Sequence, residues 1–93
     1  MNHAELTVFD SHIVANHALA GNIVELVIAR PDGFSWQAGD YLWLGLNEDD
    51  VKPFSIANVL TENTQTIHFD IAVTDALTEW WQAFLAASHC KIK

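Results

Sequence analysis

The residues best suited to chemistry stand together in Val51-Lys52-Pro53-Phe54-Ser55-Ile56-Ala57-Asn58. A proline inside a run of strand-forming residues removes a ladder donor, so the strand belongs at a sheet edge or at a gap where its neighbours part. Such a gap can hold a ligand. A cation, an aromatic ring and a hydroxyl flank Pro53, a set suited to a flat heteroaromatic ring with an anionic tail. The plain alternative is an edge strand without a ligand, since short strings of this kind match by accident.

The other reactive side chains form no comparable group. His3, His12, His17, His68 and His89 match no HxH, HExxH or Cys/His ligand spacing. His12 and His17 are read as solvated, in or beside the first loop. Cys90, the single cysteine, has no neighbouring signal for thiolate activation and reads as a small buried hydrophobe. No GxSxG, P-loop or GxGxxG sequence is present, which leaves hydrolase and nucleotide-triphosphatase readings without support.

The elements that position these residues are mostly strands. Residues 6–9, 23–29, 41–46, 54–56 and 67–73 are short runs rich in β-branched or aromatic residues, separated by turn-forming clusters. A period of two sends Ile67, Phe69 and Ile71 to one face and His68 and Asp70 to the other. Val24, Leu26 and Ile28 alternate likewise, as do Leu42, Leu44 and Leu46. Turns are expected at Ala20-Gly21-Asn22, Pro31-Asp32-Gly33, Ala38-Gly39-Asp40 and residues 47–50. From Thr74 the period lengthens: Leu77, Trp80, Trp81, Phe84 and Leu85 form one helical stripe, predicting a helix over 74–88 capped by Thr74 or Asp75. Residues 89–93 resume an extended pattern, as though a sixth strand had only begun. Short strands followed by one helix predict an antiparallel barrel whose open end the helix plugs.

Composition sets the boundaries of function. With 93 residues, 51% hydrophobic and 17% charged, the chain is a single globular domain. Four cations against twelve acids give a formal charge of −8, which repels nucleic acid. One cysteine cannot make an internal disulfide and suits a reducing compartment. The first twenty residues carry acids and histidines where a signal peptide needs a basic start and an apolar run, and no apolar stretch reaches membrane-spanning length. A cytoplasmic domain without membrane attachment is expected.

The order of two segments resembles a known family. Phe34-Ser35-Trp36-Gln37-Ala38-Gly39-Asp40-Tyr41-Leu42, followed by an acidic loop and then Lys52-Pro53-Phe54-Ser55-Ile56-Ala57-Asn58, is similar to the N-terminal flavin-binding barrel of the ferredoxin-reductase-like superfamily. The likeness is greatest to its NAD(P)H:flavin reductase branch and runs through nearly the whole chain. It implies a six-stranded antiparallel Greek-key barrel with one capping helix, the last strand incomplete here, and hydride transfer from a nicotinamide to N5 of a flavin. It further implies that Lys52 contacts the phosphate or ribityl tail, that Phe54 packs beside the ring, that Ser55 hydrogen-bonds N5, and that Pro53 between them belongs to the cofactor-binding set. Backbone groups of Ile56 and Ala57 would hold the polar edge of the ring. A donor at N5 matters because charge develops on the ring as it is reduced.

The departures from the family pattern shape the expectations. Lys52 replaces an arginine and loses its planar fork. Asp70 and Ala72 stand where FAD-retaining members often have a basic residue and a glycine, and Asp40 replaces the usual glutamine. FMN, riboflavin or FAD is therefore expected to bind loosely and non-covalently, with FAD not favoured. No nicotinamide-binding domain or glycine-rich nucleotide loop is present in these residues, so a separate nicotinamide-binding domain or partner chain is expected to supply the hydride, and the chain alone should not turn over. The alternative is a degenerate, non-catalytic barrel acting as an oligomerisation or interaction module. Adjacent Trp80 and Trp81, together with the short sixth strand, predict a homodimer or higher oligomer formed through the helix flank or by exchange of terminal strands.

Overall fold

A computed structural model of the chain describes residues 8–47 and 49–93. His3, Glu48 and the first two residues of the strand expected over 6–9 lie outside them. The elements are β1 (Phe9–Ala20), β2 (Ile23–Ala29), β3 (Tyr41–Asn47), β4 (Asp50–Ser55), β5 (Thr66–Ala72), α1 (Thr78–Ala87) and β6 (His89–Ile92). The described residues are mainly β, with six antiparallel strands in the order β4-β3-β6-β1-β2-β5 and one short helix. No helix of the described residues is long and apolar enough to cross a membrane.

The inner face follows the period of two. Leu26, Ile28, Leu42, Leu44, Ile67, Phe69 and Ile71 are buried from the strands, and Trp81 and Phe84 descend on them from α1. Leu77 and Trp80 pack half-buried against the same cluster. The helix starts later than its apolar stripe predicts. The residues from Thr74 form successive turns, with the Leu77 N–H on the Thr74 carbonyl (2.9 Å) and the Thr78 N–H on that of Asp75 (3.4 Å). Leu77 is the N-cap and no side chain caps it, so neither Thr74 nor Asp75 has the expected role. Thr78 instead turns its hydroxyl back onto the Thr74 carbonyl at 3.0 Å. Ser88, in the left-handed region (φ 59), ends the helix.

Two expectations are corrected. The loop around His12 and His17 is strand: β1 runs twelve residues. Its start, Phe9 to His12, pairs with β6, and the remainder pairs with β2. Ser11 makes this possible at a buried position by donating its hydroxyl to the Ala29 carbonyl at 2.6 Å. Nor is the sheet closed into a barrel. β4 and β5 form its two ends, and the seam between them is spanned by the segment that follows β4 rather than by a ladder. There the Ala57 N–H donates to the His68 carbonyl at 2.7 Å. The Asn58 side chain adds bonds to the Thr66 carbonyl (3.0 Å) and from the His68 N–H (2.9 Å).

Pro53 is compatible with this arrangement because of register. Both backbone groups of Trp43 pair with Lys93, at 2.7 and 2.9 Å, so they face β6 and away from β4. Pro53, opposite Trp43, therefore occupies a non-hydrogen-bonded pair, with its nitrogen facing out of the sheet. The missing N–H costs no ladder bond, and β4 is the edge strand that the proline predicts.

Candidate functional site

Strand alternation divides the segment singled out in the sequence. Lys52 and Phe54 turn towards α1: the Lys52 ammonium sits 5.7 Å from the centre of the Trp80 ring, and the Phe54 ring is 5.9 Å from it. Trp80 in turn stacks on Phe84 at 5.0 Å and 12°. Pro53 and Ser55 turn to the opposite, exposed face. Lys52 thus does not share a surface with the Ser55 hydroxyl, as a common ring-and-tail site along one face would require, while part of Phe54 still reaches the groove at Ser55. The Lys52 charge is held against an indole face, an attraction worth about 0.5–1 kcal/mol at exposed sites.

The exposed face contributes residues that the sequence reading passed over. An open groove of about 250 Å³ is lined by Tyr41, Trp43, Pro53, Phe54 and Ser55. Tyr41 is directly opposite Ser55 in the β3–β4 register and 59% exposed, and its ring meets that of Trp43 edge-on at 6.2 Å. The pattern contained a signal for this. With Leu42 and Leu44 assigned inward, period two sends Tyr41 and Trp43 outward, beside Pro53 and Ser55.

Hydrogen-bonded turns hold the groove. The Asp40 carboxylate accepts the Gln37 N–H at 2.8 Å, which pins the turn ahead of β3 where Gly39 takes φ 88. The Asp40 carbonyl accepts the Ile56 N–H at 3.0 Å, tying that turn to the residue after Ser55. The Trp36 indole N–H donates to the Asn58 carbonyl at 2.8 Å. Arg30 clamps the neighbouring loops through the carbonyls of Phe34 (2.6 Å) and Thr64 (3.2 Å). This network spends the N–H groups of Ile56 and Ala57 inside the protein, so those two donors are not free for the edge of a ring.

Burial pushes the Cys90 thiol up to about 11, against the lowering effect of its hydrogen bond with Ser11 and alongside a further rise from the Asp10 charge. It is buried, as its setting in the sequence suggests. Asp70 lies opposite Glu25 in the β2–β5 register, two carboxylates in one cross-strand pair. His68 stands 3.6 Å from Glu25 and 3.0 Å from the Thr66 hydroxyl. Among the described residues no three His, Cys, Asp or Glu side chains gather as a metal site.

Searched against protein-family models and curated protein sequences, the chain matches no family model and no relative.

Proposed function

We propose that the chain is the flavin-binding domain of an NAD(P)H:flavin oxidoreductase, holding an isoalloxazine ring in the outer groove of the β3–β4 hairpin with the Ser55 hydroxyl at N5. The observation that carries this reading is the placement of Ser55: an exposed hydroxyl on an edge strand, across from Tyr41 and beside Pro53 and Trp43. Flat apolar walls with one polar donor are the usual composition of a small-molecule site. When bound, a flavin supplies the hydride acceptor. The chain's own part is to hold the ring flat against Tyr41 and Trp43 and to present a donor where negative charge develops.

The fold belonging to this proposal is the six-stranded Greek-key barrel of the ferredoxin-reductase-like superfamily, parted between β4 and β5. Two features support it: β6 and β1 are neighbours at the centre of the sheet, and residues 56–58 reach across the seam to β5. The hydride donor would come from a separate nicotinamide-binding domain or partner chain, and an unpaired, buried cysteine suits a cytoplasmic location.

Lys52 stands over Trp80 rather than in the groove, so the reading favours flavins that need no phosphate clamp. Riboflavin and FMN should quench on titration at least as tightly as FAD. An FAD preference above about tenfold, or 1.4 kcal/mol, would count against this site. A second reading, a non-catalytic interaction module, draws support from the same geometry, because Lys52 and the N–H groups of Ile56 and Ala57 are already engaged. No saturable quenching of any of the flavins would select that module.

A further inference from the structure

We propose that His12 and His89 form an exposed two-imidazole site for a divalent transition-metal ion of the zinc, nickel and copper group, and that the bound ion clips β6 to β1. The two residues are directly opposite each other in the β1–β6 register, and both are exposed. The bond from the Ile13 N–H to the Ser88 carbonyl, at 2.8 Å, makes the adjacent position a hydrogen-bonded pair. His12 and His89 are therefore a non-hydrogen-bonded pair, the kind in which facing side chains come closest, with Cβ atoms about 5 Å apart. From that separation two imidazole nitrogens can each reach the roughly 2.0–2.1 Å that zinc requires. Among the described residues neither ring has a hydrogen-bond or ion-pair partner, whereas His68 is held by Glu25 and Thr66.

The surroundings favour a cation. α1 ends at Ala87 with no basic residue in its last turn, so no side chain of its own offsets the negative end of the helix beside His89. Asp10, in the next row of the same face, lines a cavity of about 210 Å³ together with His89. Its carboxylate holds the Lys91 ammonium, which leaves the two imidazoles as the ligands and water to complete the coordination. Cys90 is turned into the core between them and supplies no thiolate.

This donor set selects the metal. Imidazole nitrogen suits zinc, nickel and copper, while magnesium and calcium take oxygen. Ligand spacing along the chain could not show such a site, because its two residues come from opposite ends of the sequence. The position also gives the ion an effect on the fold. β6 joins the β4-β3 ladder to the β1-β2-β5 ladder, and a metal that binds the folded chain adds its binding free energy to stability at that junction.

Calorimetric titration of the full chain with zinc chloride tests this, with magnesium chloride as the control. One zinc per chain, no heat from magnesium and a urea midpoint that rises with zinc are expected. Loss of even an outer partner costs a metal site about 10–100-fold, so His12→Gln and His89→Gln should each weaken zinc binding at least tenfold. The double variant should bind no more weakly than either single one, because one remaining imidazole does not chelate. Zinc should shift the ring NMR signals of His12 and His89 and leave those of His17 and His68 in place, and acidification should release it as protons compete for the ring nitrogens. Zinc binding that survives either substitution, that falls equally in His17→Gln or His68→Gln, or that leaves the urea midpoint unmoved would overturn the proposal.

Discussion

The two faces of the β3–β4 hairpin carry similar numbers of aromatic and apolar side chains but meet opposite fates. Leu42, Leu44 and Phe54 face inward, where Phe54, Trp80, Phe84 and Trp81 form a continuous series of rings with centroids 5.0 to 5.9 Å apart. Tyr41, Trp43 and Pro53 face outward and have mainly one another. Apolar character alone therefore does not decide what becomes core. Period two assigns the face, and α1 then covers only one of them. Stability should reside on the covered face and ligand binding on the other.

The strongest way to break this contrast is Phe84→Ala, which removes a fully buried ring and should cost about 3–5 kcal/mol in denaturant unfolding. A smaller loss is expected from Gly45→Ala. The added Cβ would run into the Asp50 carbonyl across the β3–β4 turn, and overpacking of this kind costs about 1–3 kcal/mol.

Cys90 sharpens the contrast through pH. Its unfolded thiol ionises near 9.0 while the folded one keeps its proton to about 11. Stability present below pH 9 is therefore lost as pH climbs towards 11, by up to about 1.4 kcal/mol per unit. Denaturant titrations across that window should show this slope in the parent chain and its absence in Cys90→Ala.

On the exposed face, Tyr41→Ala should change stability by less than about 0.5 kcal/mol while weakening riboflavin quenching about tenfold. Equal losses in both measurements would erase the distinction between the faces. The smallest effect is expected from Trp80→Phe. The Trp80 indole N–H is buried without a partner, a situation costing about 1–3 kcal/mol, so its removal should offset the lost ring area and leave the unfolding midpoint nearly unchanged.

The legible parts of the fold were those where one face is apolar and the other polar. β2 falls on residues 23–29 as its alternation predicts, and β3 and β5 lie within a residue of their predicted bounds. β1 was hidden because its second half is built from Ala, Asn and His, residues with little strand preference, and is held by pairing with β2 rather than by its own composition. The open seam was equally unreadable, since it depends on long-range bonds from Ala57 and Asn58. For the site, Pro53 correctly marked an edge. A linear motif cannot show that Lys52 and Ser55 face opposite ways until the inward residues of the same hairpin are fixed.

The place of β6 has a consequence for how the molecule assembles. Strand β6 lies between β3 and β1, with Ile92 opposite both Phe9 and Leu44. Until His89–Ile92 is in place, the sheet is two disconnected ladders, β4-β3 and β1-β2-β5. Completing it joins residues more than eighty positions apart, a late and entropically costly closure that puts folding on the slow, millisecond-to-second side of small domains. In the interval, both interior edges stand open to other chains, so the yield of folded protein depends on how quickly four residues find their slot.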